Sequence, residues 1–322
     1  MPELPPIHRW EVPSPRGLVH VVHGMAEHGL RYARLAAALN AAGYTVWAHD
    51  HRGHGRRVVS SGESQRLGHF GDHDGWQHLL DDAAAVSRAL QASVAGTPLF
   101  LFAHSMGSFL AQALIARHGD EYAGVVLCGS NGPPGALESA GVAIARLERR
   151  LRGPLAPSRW FQRLVFGTYN REFAPARTTA DWLSRDTVEV DAYLADPLCG
   201  FPLTTQAWLD FLDGKATLGD PRLLARIPKT LPLRLISGNK DPVSEMGAGV
   251  RRLFDLYRTA GLTGVTLQLY PGARHELVNE TNRDDVIADL VSWLNAGTQE
   301  PRNTGAQEPK TSGVSGAQDL RS

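Results

Sequence analysis

The sequence predicts an α/β fold: a mostly parallel sheet with helices on both faces, interrupted by a helical insertion. Three observations carry this. Short, continuously apolar runs alternate with helically periodic segments between residues 16 and 130, as strands buried on both faces do when crossover helices join them. The alternation stops over 133–228 and resumes at 231. The chain has 322 residues, 43% of them hydrophobic, enough for one large domain with an insertion or for two ordinary domains.

The elements follow in order. RGLVHVVHG (16–24) reads as a strand and LRYARLAAALNAAG (30–43) as a helix stopped by Gly43. YTVWAHD (44–50) is a second strand, and 75–96 has helical periodicity. PLFLFAH (98–104) is a strand running directly into a helix from Ser105, and GVVLCGS (124–130) is the next strand. Residues 133–228 show helical and loop patterns with many prolines and aromatics and no convincing strand. The strand LPLRLISGNKD (231–241), a helix over 244–261, the strand VTLQLYPG (265–272) and a helix over 282–297 complete the pattern. The reading divides the chain into a core (1–132 and 229–297), a cap or lid (133–228) and a disordered tail (298–322) poor in apolar residues.

Composition excludes several classes. Basic and acidic residues number 33 each, so bulk attraction to nucleic acid or anionic lipid is not expected. Two cysteines, Cys128 in an apolar strand and Cys199 in the insertion, do not make a disulfide framework. No run approaches the ~18 apolar residues of a membrane-spanning helix, and the N-terminus lacks the charged-then-apolar pattern of a signal peptide. The expected location is cytoplasmic, with any membrane contact peripheral.

The chemistry centres on Ala103-His104-Ser105-Met106-Gly107. It resembles the G-x-S-x-G elbow, in which a serine is presented on a sharp strand-to-helix bend. The positions two before and two after must be small because strand and helix approach closely. Gly107 meets that demand, and Ala103 exceeds glycine by one methyl. The plainer alternative is a serine that merely caps a helix. A nucleophilic serine needs a base, and the base an orienter. In the Ser, acid, His chain order, only His118 and His275 among 13 histidines follow Ser105. His118 lies on the same helix, roughly 20 Å away, which leaves His275, in the loop after a strand. Asp241 in GNKDPVS sits at another strand end and is the candidate acid. It could instead organise the turn before Pro242, and Glu276 is a weaker candidate orienter. An oxyanion hole needs two backbone N–H groups. Met106 follows the serine, and Met25, beside Gly24 in the loop after the first predicted strand, supplies the second, with His23 structural. His49, His51 and His54 in AHDHRGHG permit a metal reading, although Gly53 and Gly55 make a structural loop the simpler one.

These motifs together resemble a known family. HGMAEHGLRY (23–32), AHDHRGHG (48–55), AHSMGS (103–108), GNKDPVS (238–244) and YPGARHELVNE (270–280) are similar in order and spacing to the bacterial monoacylglycerol lipase and lysophospholipase-like α/β-hydrolases. FGTYNREFAPARTTADWLSRD (166–186) and DPLCGF (196–201) look like that branch's cap. The resemblance covers roughly residues 7–296. It implies an α/β-hydrolase fold with an eight-stranded sheet and a helical cap between strands six and seven. It also implies a Ser105–Asp241–His275 triad and Met25 and Met106 as oxyanion donors. Ala103 departs from the family's usual glycine.

The expected reaction is carboxylic ester hydrolysis through an acyl-enzyme, with no metal or organic cofactor required. The substrate expected is a small-molecule lipid ester, monoacylglycerol or lysophospholipid. The alternatives are a carboxylesterase for short soluble esters, a peptidase or amidase, and a non-catalytic binding protein. Dehalogenases and epoxide hydrolases use Asp where Ser105 stands. The cap sets the substrate: Trp160, Phe161, Leu164 and Phe166 recur at helical spacing beside the basic RLERRLRG (146–153). They either pack the cap onto the body or line an acyl channel and touch membranes.

Overall fold

The computed structural model describes residues 4–62, 66–133 and 135–299. Seven strands form one sheet in the order β1-β3-β2-β4-β5-β6-β7. They are β1 (Ile7–Trp10), β2 (Gly17–Val22), β3 (Tyr44–His49), β4 (Leu99–His104), β5 (Gly124–Cys128), β6 (Leu233–Gly238) and β7 (Val265–Tyr270). Only β1 runs antiparallel, paired to β3 at the edge. The other pairings are parallel, so β2, β4, β5, β6 and β7 all deliver their carboxyl ends to one rim.

Alternation along the buried strands builds two apolar layers. Leu99, Leu101 and Ala103 face one cluster with Leu18, Leu127 and Leu235. Phe100 and Phe102 face the other with Val19, Val21 and Ile236. Helices α3 (Gly75–Ser93), α4 (Met106–His118) and α10 (Ala248–Thr259) contribute side chains to the first layer; α1 (Ala33–Ala41) and α11 (Arg283–Gln299) contribute to the second. The short α2 (Gly55–Ser61) follows the loop after β3.

Between β5 and β6 the described residues make five α-helices, α5 (Ala136–Arg152), α6 (Arg159–Phe166), α7 (Thr187–Ala195), α8 (Thr205–Ala216) and α9 (Pro221–Ala225), besides short 3-10 turns. Local chemistry sets three starts. Asp186, Thr204 and Asp220 accept from Val188, Ala207 and Arg222 N–H at the first turns of α7, α8 and α9, and Pro221 opens α9. Segment 181–189 is tied to the core by Arg185–Glu280 (2.9 Å) and Arg283–Asp186 (2.7 Å).

Two expectations are corrected. Among the described residues the sheet has seven strands, not eight, and the insertion follows the fifth strand rather than the sixth. Residues 11–16, between β1 and β2, carry Pro13 and Pro15, which cannot donate to a ladder, and the chain passes from edge strand β1 into β2 with no further strand between them. Helix α11 includes Thr298 and Gln299, which the sequence assigns to the tail, while 300–322 lies outside the described residues. Cys128 and Cys199 are unpaired.

Candidate active site

Ser105 stands at the tip of β4 with φ 51° and ψ −120°, a conformation rare for a residue with a side chain. Such backbone strain costs on the order of 1–3 kcal/mol and persists where the surroundings enforce it. Here its N–H donates to Cys128 O (2.9 Å), while its carbonyl accepts from Ser108 N–H (2.8 Å) and starts α4. Gly107 is required by contact: a Cβ there would lie 2.3 Å from Val22 O and 2.6 Å from His23 O. Ala103 is a different case. It pairs with Val22 and Leu127 in the sheet, and its methyl is fully buried in the first apolar layer.

His275 follows β7 and Asp241 follows β6. The His275 Nδ1–H donates to Asp241 Oδ1 (3.0 Å). Asp241 is fully buried and also accepts from Val243 N–H (2.8 Å), with Ser237 Oγ 3.2 Å from its other oxygen. That arrangement leaves Nε2 as the proton acceptor of the imidazole. Glu276 is not the orienter, because both its oxygens are taken by a two-pronged contact with Arg31 (2.6 and 2.7 Å). His118 pairs with Glu121 instead (3.0 Å).

Ser105 and His275 open into one cavity of about 440 Å³, lined also by Gly24, Met25, Glu27 and residues of the insertion. Gly24 sits so close to the serine that a Cβ there would stand 3.1 Å from Ser105 Cβ. Among the described residues, neither Met25 N–H nor Met106 N–H is given to a protein acceptor. For Met106 this follows from its place as first residue of α4, where backbone donors have no intrahelical partner. The free amides and the positive end of the helix favour an oxyanion beside Ser105.

The loop carrying Met25 is held by groups that sequence reasoning missed. Glu27 accepts from Gly24 N–H, Tyr32 OH (2.9 Å) and Arg31 (2.8 Å), and lies 3.1 Å from His104 Nδ1. Burial disfavours charge on Glu27, yet the His104 hydrogen bond and Arg31 outweigh it and hold the carboxyl below its usual range. Burial likewise pushes His104 down, but Glu27 overcomes this and raises it above an ordinary histidine. Glu27 and Arg31 share one stretch, but residues 104 and 276 come from distant parts of the chain, so no local motif announces the cluster.

A second buried network runs behind this loop. His20 Nε2 meets His49 Nδ1 (2.9 Å), His49 Nε2 meets His51 Nδ1 (3.2 Å), and His51 Nε2 meets His23 O (3.1 Å). The carbonyl can only accept, so each ring donates from Nε2 and accepts at Nδ1, back to Ser87 Oγ (2.8 Å) and Tyr122 OH (3.0 Å). His51 N–H donates to His23 Nε2 (3.1 Å), which leaves His23 Nδ1–H to donate to Gly24 O (2.7 Å), the carbonyl of the peptide whose N–H is Met25's. His54 accepts from Ala26 N–H (3.0 Å) and donates to Arg52 O (2.9 Å). Burial pushes His20 and His51 down to about 3, His54 to about 4, and His23 and His49 well below the usual value. All six ring nitrogens of His49, His51 and His54 are engaged in hydrogen bonds, which fits the structural-loop reading of this stretch.

The cap candidates separate. Phe166 lines the cavity, together with Trp182, Leu183, Tyr193 and Leu194, which the sequence reading did not name. Phe161 is buried against Trp208 (ring centroids 4.6 Å) and packs the insertion internally. Trp160, its neighbour on α6, is 64% exposed, and the side chain of Leu164 lies outside the described residues.

Comparison with known proteins follows the same lines. The profile of the Hydrolase_4 family, described as serine aminopeptidase, S33, matches residues 13–282. A monoacylglycerol lipase of Mycolicibacterium smegmatis is 34% identical over 284 residues, covering 87% of this chain and 89% of the relative. A monoglyceride lipase of Homo sapiens is 29% identical over 297 residues, covering 89% and 87%. A thermostable carboxyl esterase from Bacillus coagulans, solved with glycerol, superposes with a TM-score of 0.82 at 28% identity over 91% of this chain and 94% of the other.

Proposed function

The chain belongs to the Hydrolase_4 family, with an α/β-hydrolase fold and the activity of a carboxylic ester hydrolase, and from that premise we propose that it cleaves lipid esters, monoacylglycerol foremost and lysophospholipid second. One observation carries the reading. The strained Ser105 shares a single cavity with the buried His275–Asp241 pair and with the unpartnered Met25 amide. His275 Nε2 takes the Ser105 proton as Oγ attacks the ester carbonyl. The N–H groups of Met25 and Met106 hold the oxyanion, and Asp241 stabilises the imidazolium and fixes its tautomer. His275 then protonates the departing alcohol. Water, deprotonated by the same Nε2, releases the fatty acid from Ser105.

We read residues 133–228 as a cap over this cavity. Its wall of Phe166, Trp182, Leu183 and Leu194 suits an acyl chain. Outside, Leu147 (58%), Leu151 (70%) and Trp160 are exposed, with the Arg152 guanidinium over the Trp160 ring (5.9 Å), while Arg159 and Arg163 line the cavity. That apolar and basic face fits peripheral contact with a lipid surface. No helix among the described residues is long and apolar enough to cross a membrane.

The test is kcat/KM for monoacylglycerols of graded chain length beside p-nitrophenyl acetate and aminoacyl amides. The expected result is a rise with chain length. Highest values on acetate would make this a short-chain carboxylesterase. Turnover of amides above esters would return the peptidase reading that the family description carries.

A further inference from the structure

Where the cap meets the loop that carries Met25, three metal-ligating side chains converge outside the hydrolytic machinery. His28 comes from the core loop after β2. Asp196 ends α7, and Cys199 lies in the turn closed by its own N–H donating to Asp196 O (3.0 Å). His28 Nε2 is 2.9 Å from Asp196 Oδ2, and the three potential ligand atoms, Cys199 Sγ included, lie within 4.8 Å of one another. His28 and Cys199 are buried. We propose that these residues form a binding site for a divalent transition metal, Zn²⁺ before others, which clasps the cap to the core.

The donor set decides the metal class. One imidazole nitrogen, one carboxylate oxygen and one sulfur suit Zn²⁺ and leave Mg²⁺ and Ca²⁺, which demand oxygen, without a site. Charge agrees as well. A thiolate and a carboxylate balance the two charges of the ion, so the loaded site is neutral and can be buried. Orientation is already set on one side: Leu198 N–H holds Asp196 Oδ1 (2.8 Å), which turns Oδ2 toward His28. Among the described residues the Cys199 thiol has no hydrogen-bond partner.

Tetrahedral Zn²⁺ with bonds of about 2.0–2.3 Å holds its ligands roughly 3.3–3.7 Å apart. The His28–Asp196 pair must therefore open by about half an ångström, and the sulfur, no more than 4.8 Å from the other two ligand atoms, must close by about 1.3 Å at most, shifts within reach of side-chain rotation. Three protein ligands leave the fourth position to water. The site lies next to a second tie between cap and core. Ala26 O accepts from Gly200 N–H (2.9 Å) and from Tyr193 OH (3.2 Å), and both Gly200 and Tyr193 wall the cavity. A metal here fastens that wall to the loop beneath it. The proton of Cys199 leaves to solvent on binding; no oxidant or reductant takes part.

The test uses the full chain, stripped with chelator and titrated with Zn²⁺ against a chromophoric competitor, then with Co²⁺. The expected results are one equivalent bound, a melting temperature that rises with free Zn²⁺, and a thiolate-to-cobalt absorption band. Cys199→Ser and Asp196→Asn, each folded as judged by an unchanged metal-free melting temperature, should weaken binding by about 100-fold or more. Cys199→Ser should also abolish the cobalt band, which separates this site from Cys128. If the wild type binds no stoichiometric Zn²⁺, or either folded variant binds as tightly as the wild type, the site does not exist as described.

Discussion

Five buried histidines should make this protein acid-labile in a way its net charge does not suggest. His20, His23, His49, His51 and His54 are held neutral in the fold, each with its pKa below the value of 6.5 that an unfolded chain restores. The unfolded state therefore binds more protons than the folded state once the pH drops toward 6.5. Stability is present above that value and is lost as pH falls toward about 4 for His54 and about 3 for His20 and His51. One unit below the unfolded pKa, each ring contributes a loss of about 1.2 kcal/mol relative to pH 7. Five rings give roughly 6 kcal/mol. His104 acts with the opposite sign, since its raised pKa makes the stability it supplies present at low pH and lost as pH rises. As a single group it offsets less than about 1 kcal/mol over this window. The net loss of about 5 kcal/mol between pH 7 and 5.5 compares with a total stability of about 5–15 kcal/mol for ordinary proteins.

Urea denaturation followed by tryptophan fluorescence at pH 7.0, 6.5, 6.0 and 5.5 measures this directly. The slope of unfolding free energy against pH near 5.5–6 should correspond to about four protons taken up on unfolding. His20→Gln, which keeps a donor and an acceptor in the chain of rings, should lower that number by about one. A total change below about 1 kcal/mol would mean that the rings are not held neutral by burial, and the directional chain from Tyr122 to His23 would be wrong.

The remaining predictions concern the site. Ser105→Ala should lower kcat by about 10⁶-fold with an unchanged melting temperature, and Asp241→Asn by about 10⁴-fold, both read in steady-state ester hydrolysis. Gly107→Ala forces Val22 O and His23 O apart from a new methyl; the displaced loop should reduce kcat/KM by about 100-fold or more. Ala103→Gly should cost about 1 kcal/mol in urea denaturation without raising kcat, because the Ala103 methyl already fits the apolar layer.

The parts of the site that were legible from sequence share one property: each sits where a buried parallel strand ends. Ser105 follows β4, Asp241 follows β6 and His275 follows β7, so recognising the strands is enough to put all three on one rim. Strand β1 escaped notice because IHRW is four residues long, lies just after two prolines, and is only partly buried at the sheet edge. The Glu27–Arg31 pair is local, but its meeting with His104 and Glu276 is invisible to spacing because those residues reach it only through the fold. The histidine chain had a partial signal. His20 and His49 lie on adjacent strands, two positions out of register, which places both on one face, but that register is known only once β2 and β3 are paired. On α6, helical periodicity grouped Trp160, Phe161 and Phe166, yet one is exposed, one packs internally and one lines the cavity. A small helix covered on several sides does not reveal from periodicity alone which face meets the substrate.

The central claim is that Ser105 is a working nucleophile despite Ala103. The direct measurement is intact mass after exposure to a fluorophosphonate probe, wild type beside Ser105→Ala. One phosphonyl adduct on the wild type and none on the variant is the expected result. No adduct on folded wild type, with and without detergent or lipid vesicles, would contradict the account and leave a protein that binds esters without cleaving them.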